Sequence, residues 1–397
     1  MGSKYFDHAA TTAMDPQVTE AMLPFFTEHF GNANSLYGLG REAARALEDA
    51  RSRFATGIGA AQPSEVVFTS GGSESDNAAF FSTLRKIAAD GGHIITSAYE
   101  HDAVLNTAKW LGEHGYDLTL VKPRKDGHVA ADDVASALRE DTKLVSVMHS
   151  NNEIGAVNDI KSIAAVAHEV GALMHTDAVQ SLGKIDFDVV DLGVDLASFS
   201  AHKLHGPKGV GALYVKRGLR FDALIKGGGQ ETGRRSGTQN VAGAVGFAKA
   251  LELALEMRES EGVRLAALRD RVIEGLSSRL ENVQATVTGG ERLPNIASLL
   301  VKGVEGESLL LQLDNLGFSV STGSACSSGS LEPSHVLLAI GVPQVIAHGS
   351  LRVSLGRANT QADVDEFIEA LVPIVEKLRA MSPVYKKMFC GENPIMF

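Results

Sequence analysis

Cysteine is nearly absent from this chain. Cys326 and Cys390 are the only two in 397 residues, too few for a disulfide framework, and neither sits in a C-x-x-C pair of the kind that holds zinc. No resident metal is expected. Positive charge is short as well: 37 Lys and Arg stand against 48 Asp and Glu, a net charge of -11, which gives no general attraction to nucleic acid or to an anionic membrane. Long apolar runs are missing, since none reaches the ~20 residues that cross a bilayer, and Met1 to His8 lacks the apolar core of a signal peptide. The expectation is a cytoplasmic globular protein with no nucleic-acid or membrane partner. Internal repeats and low-complexity linkers are absent too.

Hydrophobic residues make up 44% of the chain, enough for one large and one smaller domain. From about residue 64 to 216, seven short β-rich runs alternate with helical patterns, the order of an α/β domain with a mainly parallel seven-stranded sheet. The runs begin at Val66, His93, Leu118, Leu144, Leu173, Leu196 and Gly211. Stretches 101–115 and 159–171 carry apolar residues at helical spacing, with Asp159 a candidate N-cap. A helical region over 239–282 reads as two helices or a bent one. It leads to a smaller α+β C-terminal domain with strands at 297–301, 318–321 and 350–354 and helices near 305–316 and 360–380. The expected division gives 60–259 to the large domain and 1–14 with 260–397 to the small one, with the helical segment 15–59 packed beside the small one.

Chemistry concentrates at the ends of these runs. Lys203 lies in Ser200-Ala201-His202-Lys203-Leu204-His205-Gly206, after the apolar stretch that ends at Phe199, and burial beside other cations favours a neutral, nucleophilic amine able to form a Schiff base. A carbonyl cofactor such as pyridoxal phosphate suits it, against the plainer role of a structural lysine at a strand end. Gly71-Gly72-Ser73 opens a helical run after a strand, where free backbone N–H groups and the helix dipole favour phosphate, although such a glycine pair also serves as a mere tight turn. Asp177 ends a strand and precedes Gln180. At the carboxyl edge of a parallel sheet, that carboxylate either holds a pyridine nitrogen protonated, with Gln180 at the ring oxygen, or caps a helix.

His101 begins a helix, placed to stack on a flat ring or simply to cap; Asn151-Asn152-Glu153 forms a turn or touches ligand. Cys326 lies in the small-residue run Gly323-Ser324-Ala325-Cys326-Ser327-Ser328, a composition that reads as an exposed loop, and a free cysteine there points to a nucleophile. Arg352 grips a substrate carboxylate or makes a structural ion pair.

Together, Asp7-His8-Ala9-Ala10-Thr11-Thr12, Ser200-Ala201-His202-Lys203 with its Gly-Pro-Lys-Gly, Arg234-Arg235-Ser236-Gly237-Thr238, Gly323-Ser324-Ala325-Cys326 and Arg352-Val353-Ser354-Leu355 closely resemble the cysteine desulfurases of the NifS/IscS type. These belong to the class V aminotransferase-like, fold type I enzymes that use pyridoxal phosphate. The resemblance implies removal of sulfur from L-cysteine, giving alanine and a persulfide on Cys326 for an acceptor such as an iron–sulfur scaffold, with an iron–sulfur cluster touching Cys326 only in passing. It makes Lys203 the Schiff-base residue, Asp177 the partner of the ring nitrogen and His101 the stacking and proton-relaying group. Asn152 and Gln180 then contact the ring-oxygen region or substrate, and Arg352 holds the substrate carboxylate. Gly72, Ser73, Ser200 and His202 bind phosphate, joined by Thr238 from the second subunit of a homodimer. Ser73 stands where Thr is more usual, and Ser327 follows the cysteine where Thr is common; both keep a hydroxyl. A selenocysteine lyase, a cysteine sulfinate desulfinase and a non-catalytic sulfur carrier on the same fold remain alternatives.

Overall fold

The computed structural model describes residues 4–323, 332–382 and 385. Twelve strands occur among them: β1 (Lys4–Tyr5), β2 (Val66–Thr69), β3 (Gly92–Ser97), β4 (Tyr116–Val121), β5 (Thr142–Ser146), β6 (Leu173–Asp177), β7 (Leu196–Ser200), β8 (Gly211–Val215), β9 (Val283–Ala285), β10 (Ile296–Val301), β11 (Phe318–Ser319) and β12 (Ser350–Ser354). Seven of these form one sheet in the order β2-β8-β7-β6-β5-β3-β4. Every pairing is parallel except those of β8, which runs against both β2 and β7. The mainly parallel sheet expected from the sequence is therefore present.

The sheet is apolar on both faces. Phe68, Val145, Ala197 and Tyr214 face one core, while their neighbours Val67, Leu144, Leu196 and Leu213 face the other. That period of two explains why the strands read as nearly continuous hydrophobic runs. Helices Gly72–Ile87 and Asp102–Gly112 cover one face, and helix Ile160–Glu169 covers the other, with Asp159 capping it by accepting from the Ser162 N–H as expected.

A second core gathers around the antiparallel sheet β12-β10-β9, where Phe6, Leu299, Val301, Leu351, Val353 and Phe367 are buried together. Helix Gln361–Met381 closes it, started by a reciprocal cap between Thr360 and Asp363.

Two expectations need correction. The region 239–282 is one unbroken helix, Val241–Ser277, whose first half is buried in the large core and whose end is buried in the second. Segment 15–59 packs on the large sheet, not beside the smaller core. Phe54 of helix Gly38–Gly57 meets Phe68, Phe199 and Phe247 at ring-centroid distances of 6.3, 5.6 and 4.6 Å, and burying one such side chain stabilises by roughly 1.5–3 kcal/mol. Sequence patterning placed that segment by chain proximity; the aromatic contacts decide otherwise.

Candidate active site

Six of the seven strands of the sheet end at one edge. The loops after β2, β3, β5, β6 and β7 all start from carboxyl ends pointing the same way, because β8 reverses direction between β2 and β7. Ligands of such sheets bind at that edge. A cavity of about 320 Å³ lies there, lined by Ala9, Ala10, Gly72, Ser73, Asp76, His101, Met148, Asn152, Asp177, Val179, Gln180, Ser200, His202, Lys203 and Arg352. Its size falls at the low end of the ~300–1,000 Å³ typical of small-molecule sites. A wider groove of about 1040 Å³ around Arg124, Asp159 and Phe187 contains none of the candidate catalytic or cofactor-binding residues.

Lys203 ends a short turn of 3-10 helix, Ala201–Lys203, immediately after β7. The N-terminal segment clamps this turn. Thr12 Oγ1 donates to the His202 carbonyl at 2.9 Å and accepts from the His205 N–H at 2.8 Å. His205 is held at φ 64°, a left-handed backbone that costs a non-glycine residue about 1–3 kcal/mol and that clusters at functional sites. The Lys203 amine donates to the carbonyls of Ala9 and Ala10, each at 2.7 Å. Burial, with the Lys203 charge adding to it, pushes the His202 imidazole down to about 4, so a neutral ring faces the cavity near pH 7.

Opposite the lysine, helix Gly72–Ile87 points its N-terminus into the cavity through Gly72 and Ser73. Close packing requires glycine here: a Cβ on Gly72 would stand 2.9 Å from the Val179 side chain. His101 caps helix Asp102–Gly112, its Nδ1 accepting from the Ala103 N–H at 3.1 Å, which leaves Nε2 as the protonated nitrogen of the neutral ring. The sequence reading of His101 left capping and ring contact open, and the structure gives it both the cap and a place on the cavity wall.

The Asn151-Asn152-Glu153 turn divides likewise. Asn151 builds the turn by accepting from Glu153 and Ile154 N–H, and Asn152 lines the cavity. Arg352, on β12, reaches across from the second core to the Asn152 carbonyl at 2.9 Å and the Asp7 carboxylate at 2.8 Å, while its buried Nε has no hydrogen-bond partner among the described residues.

Asp177 closes β6 and accepts from the Val179 N–H at 2.8 Å. Burial raises its carboxyl, with His101 and Lys203 opposing. Beside it lies Asp76, which the sequence reading missed. Burial and then the Asp177 charge push Asp76 well above the usual carboxylate range, and its Oδ1, 3.8 Å from His175 Nε2, has no hydrogen-bond partner among the described residues. A lone Asp on a helix ordinarily faces water; its only sequence signal is the spacing of four from Gly72, which sets both on one helix face. Two buried acids with an orphaned oxygen suit a ligand that brings a protonated ring nitrogen, and the glycine-lined helix N-terminus suits a phosphate. The residues present therefore fit pyridoxal phosphate.

Among the described candidates, one is not on this wall. Thr238 is exposed on a loop before helix Val241–Ser277, away from the cavity of its own chain. Cys326, like Cys390 and Ser327, lies outside the described residues. Among those described, no group of three or more His, Cys, Asp or Glu is arranged to hold a metal ion, and no helix is long and apolar enough to cross a membrane.

Known proteins resemble this chain along nearly all its length. Residues 4–367 match the model of the aminotransferase class-V family. A cysteine desulfurase IscS from Clostridium botulinum is 47% identical over 384 residues, covering 96% of each chain. A solved structure titled NifS-like protein superposes with a TM-score of 0.89 at 39% identity, over 95% of this chain and 100% of the other. Another, SspA in complex with cysteine, gives a TM-score of 0.78 at 36% identity, over 89% and 99%.

Proposed function

The chain belongs to the class-V aminotransferase family and is a cysteine desulfurase, and from that premise we propose how its residues share the work. The family depends on pyridoxal phosphate, which when bound supplies a ring that accepts the electrons left at a substrate Cα. In this reading Lys203 anchors the cofactor, Asp177 holds the ring nitrogen as an ion pair, and His101 stacks on the ring. Gln180 and Asn152 serve the ring-oxygen region or substrate. Gly72, Ser73, Ser200 and His202 take the phosphate, with Thr238 reaching in from the other subunit of a homodimer. We assign 60–259 to a large domain and 1–14 with 260–397 to a small one; the separate core around Phe6, Leu299 and Phe367 supports the small domain, while Val336, Leu337, Ile346 and Ala347 pack into the large core.

Arg352, steadied by Asp7 and the Asn152 carbonyl, orients the carboxylate of L-cysteine. Lys203 Nζ is placed to take the proton from Cα and to return it there at the end. Cys326 thiolate forms a bond to the substrate sulfur as the Cβ–S bond breaks and its electron pair passes to carbon; one proton delivered to Cβ and one returned to Cα complete alanine. The persulfide left on Cys326 passes to an acceptor such as an iron–sulfur scaffold protein.

The observation that carries this reading is a single cavity holding Lys203, Asp177, His101 and Arg352 together. Cys326→Ser is expected to keep the cofactor's visible absorbance and to form no alanine from cysteine; full turnover would instead favour a selenocysteine or cysteine sulfinate lyase, for which the thiol is dispensable. Lys203→Ala is expected to lose the absorbance of the covalently held cofactor. A protein that never acquires that absorbance would be a sulfur carrier and not an enzyme.

A further inference from the structure

Lys203 lines two cavities. One is the site above; the other is a chamber of about 60 Å³ on its far side, walled by Lys203, Lys184, His8, His205 and residues of helix Val241–Ser277. Lys184 sits four residues after Gln180, and its Nζ donates to Gln180 Oε1 at 2.8 Å. That contact fixes which way the Gln180 amide faces: with the oxygen taken by Lys184, the Nε2 group is turned to the Ala9 carbonyl, 2.9 Å away. The same carbonyl receives the Lys203 amine at 2.7 Å. An unbroken chain of contacts thus runs from Lys184 through Gln180 and Ala9 to Lys203.

We propose that Lys184 is a positioning residue for Lys203, fixing through Gln180 a carbonyl on which the Lys203 amine rests and facing that amine with a second cation across the rear chamber. The inference rests on the reading of Lys203 as the reacting amine.

A simpler role for Lys184 would be to neutralise a buried carboxylate, but its hydrogen-bond partner is an amide oxygen. The groups that act on it are cationic: burial, then Lys203, then Arg352, push its own ammonium down to about 7. Lys184 in turn acts on His8, His202 and His205, all of which burial already holds below the ordinary imidazole value. Repulsion between two ammonium groups is mutual, so below about pH 7, where Lys184 keeps its charge, that charge favours an unprotonated Lys203, the form able to attack a carbonyl or take a Cα proton. The two Ala carbonyls act the other way, by accepting from an ammonium. Where the amine rests is set by the hydrogen-bond chain, and how readily it gives up its proton is set by the second charge.

The test measures Lys203 directly. Full-length protein, as purified with cofactor and after stripping with hydroxylamine, is treated with trace acetic anhydride across pH 6 to 11, and acylation of Lys203 is read by peptide mass spectrometry. In the stripped protein, Lys184→Met is expected to move the Lys203 midpoint up, read as an approximately tenfold loss of labelling at fixed pH between about 6 and 7, where Lys184 still carries charge in the parent. Lys184→Arg, which keeps charge and donors, is expected to label as the parent does. Lys184→Gln, neutral but still able to donate to Gln180, carries the same expected rise and serves if the methionine variant does not fold. An unchanged midpoint in both neutral variants, or a rise in the arginine variant equal to theirs, would overturn the proposal. The purified form keeps the two readings apart: equal labelling of Lys203 with and without cofactor would sink its assignment as the anchoring residue, whatever Lys184 does.

Discussion

Glu153 shows what burial does to one side chain. It accepts from Ser334 Oγ, and Gly323 packs so closely that a Cβ there would stand 2.5 Å from Glu153 Oε2. Both flanks of the segment that carries Cys326 therefore meet at this carboxyl. Burial pushes it from 4.5 up to about 7, against the Ser334 hydrogen bond and the Arg352 charge. The unfolded chain releases this proton near 4.5 while the folded chain holds it to about 7. Stability from the group is thus complete below pH 4.5 and is lost as pH rises to about 7. Glu153→Gln removes that loss. Compared with the parent, the variant is expected to be more stable at pH 8 than at pH 4.5 by roughly 3 kcal/mol, read from urea unfolding at the two values. Parallel pH profiles for the two proteins would show that Glu153 titrates normally.

The element that matters most is the turn Ala201–Lys203, because it aims the amine. Thr12 holds it from outside, and Thr12→Val would leave the His205 N–H without its acceptor while keeping the side-chain shape. An unpaired buried donor costs about 1–3 kcal/mol, so a fall in stability of that order is expected, together with weaker cofactor retention, and Thr12→Ser is expected to restore both. Normal retention in the valine variant would make the clamp irrelevant to the site. The residues of this turn were legible in the sequence, but its geometry was not. Burial on both faces made Val66–Thr69 and Leu196–Ser200 readable as short apolar runs, and Gly211–Val215 and Ser350–Ser354 could be bounded to the residue. The three-residue β9 could not, since so short a run carries no periodicity. In helix Val241–Ser277, the polar stretch Met257 to Gly262 broke the apolar pattern and looked like a break. It is the span between two cores, where nothing needs to be buried. Asp76 and Lys184 escaped notice, and the burial of Glu153 in its turn did too, for a shared reason: a charged residue on a helix or turn reads as solvated, and only tertiary contacts bury it.

At the scale of the whole molecule, the fate of Thr238 decides whether one chain is sufficient. It is exposed, yet its loop is not slack. Arg51 and Glu231 form a buried ion pair behind it, Glu231 also accepts from the Phe68 N–H, and Arg235 pairs with Glu74 on the helix that carries Gly72. A loop braced this firmly, ending in an exposed hydroxyl, is suited to present that hydroxyl to another molecule. Exposed Phe26, Phe30, Leu36 and Tyr37 supply apolar surface of the kind that subunit contacts cover. If Thr238 serves the phosphate of a second subunit, two defects can cure each other. Lys203→Ala spoils its own chain's site but still offers Thr238, and Thr238→Ala weakens its neighbour's site but keeps Lys203. Unfolded together and refolded at equal amounts, the two variants pair at random, so about a quarter of all sites regain both residues. Alanine formation at limiting cofactor is expected to rise toward a quarter of the parent rate on mixing. A threonine acting within its own chain predicts no gain, because every site would then still lack one of the pair.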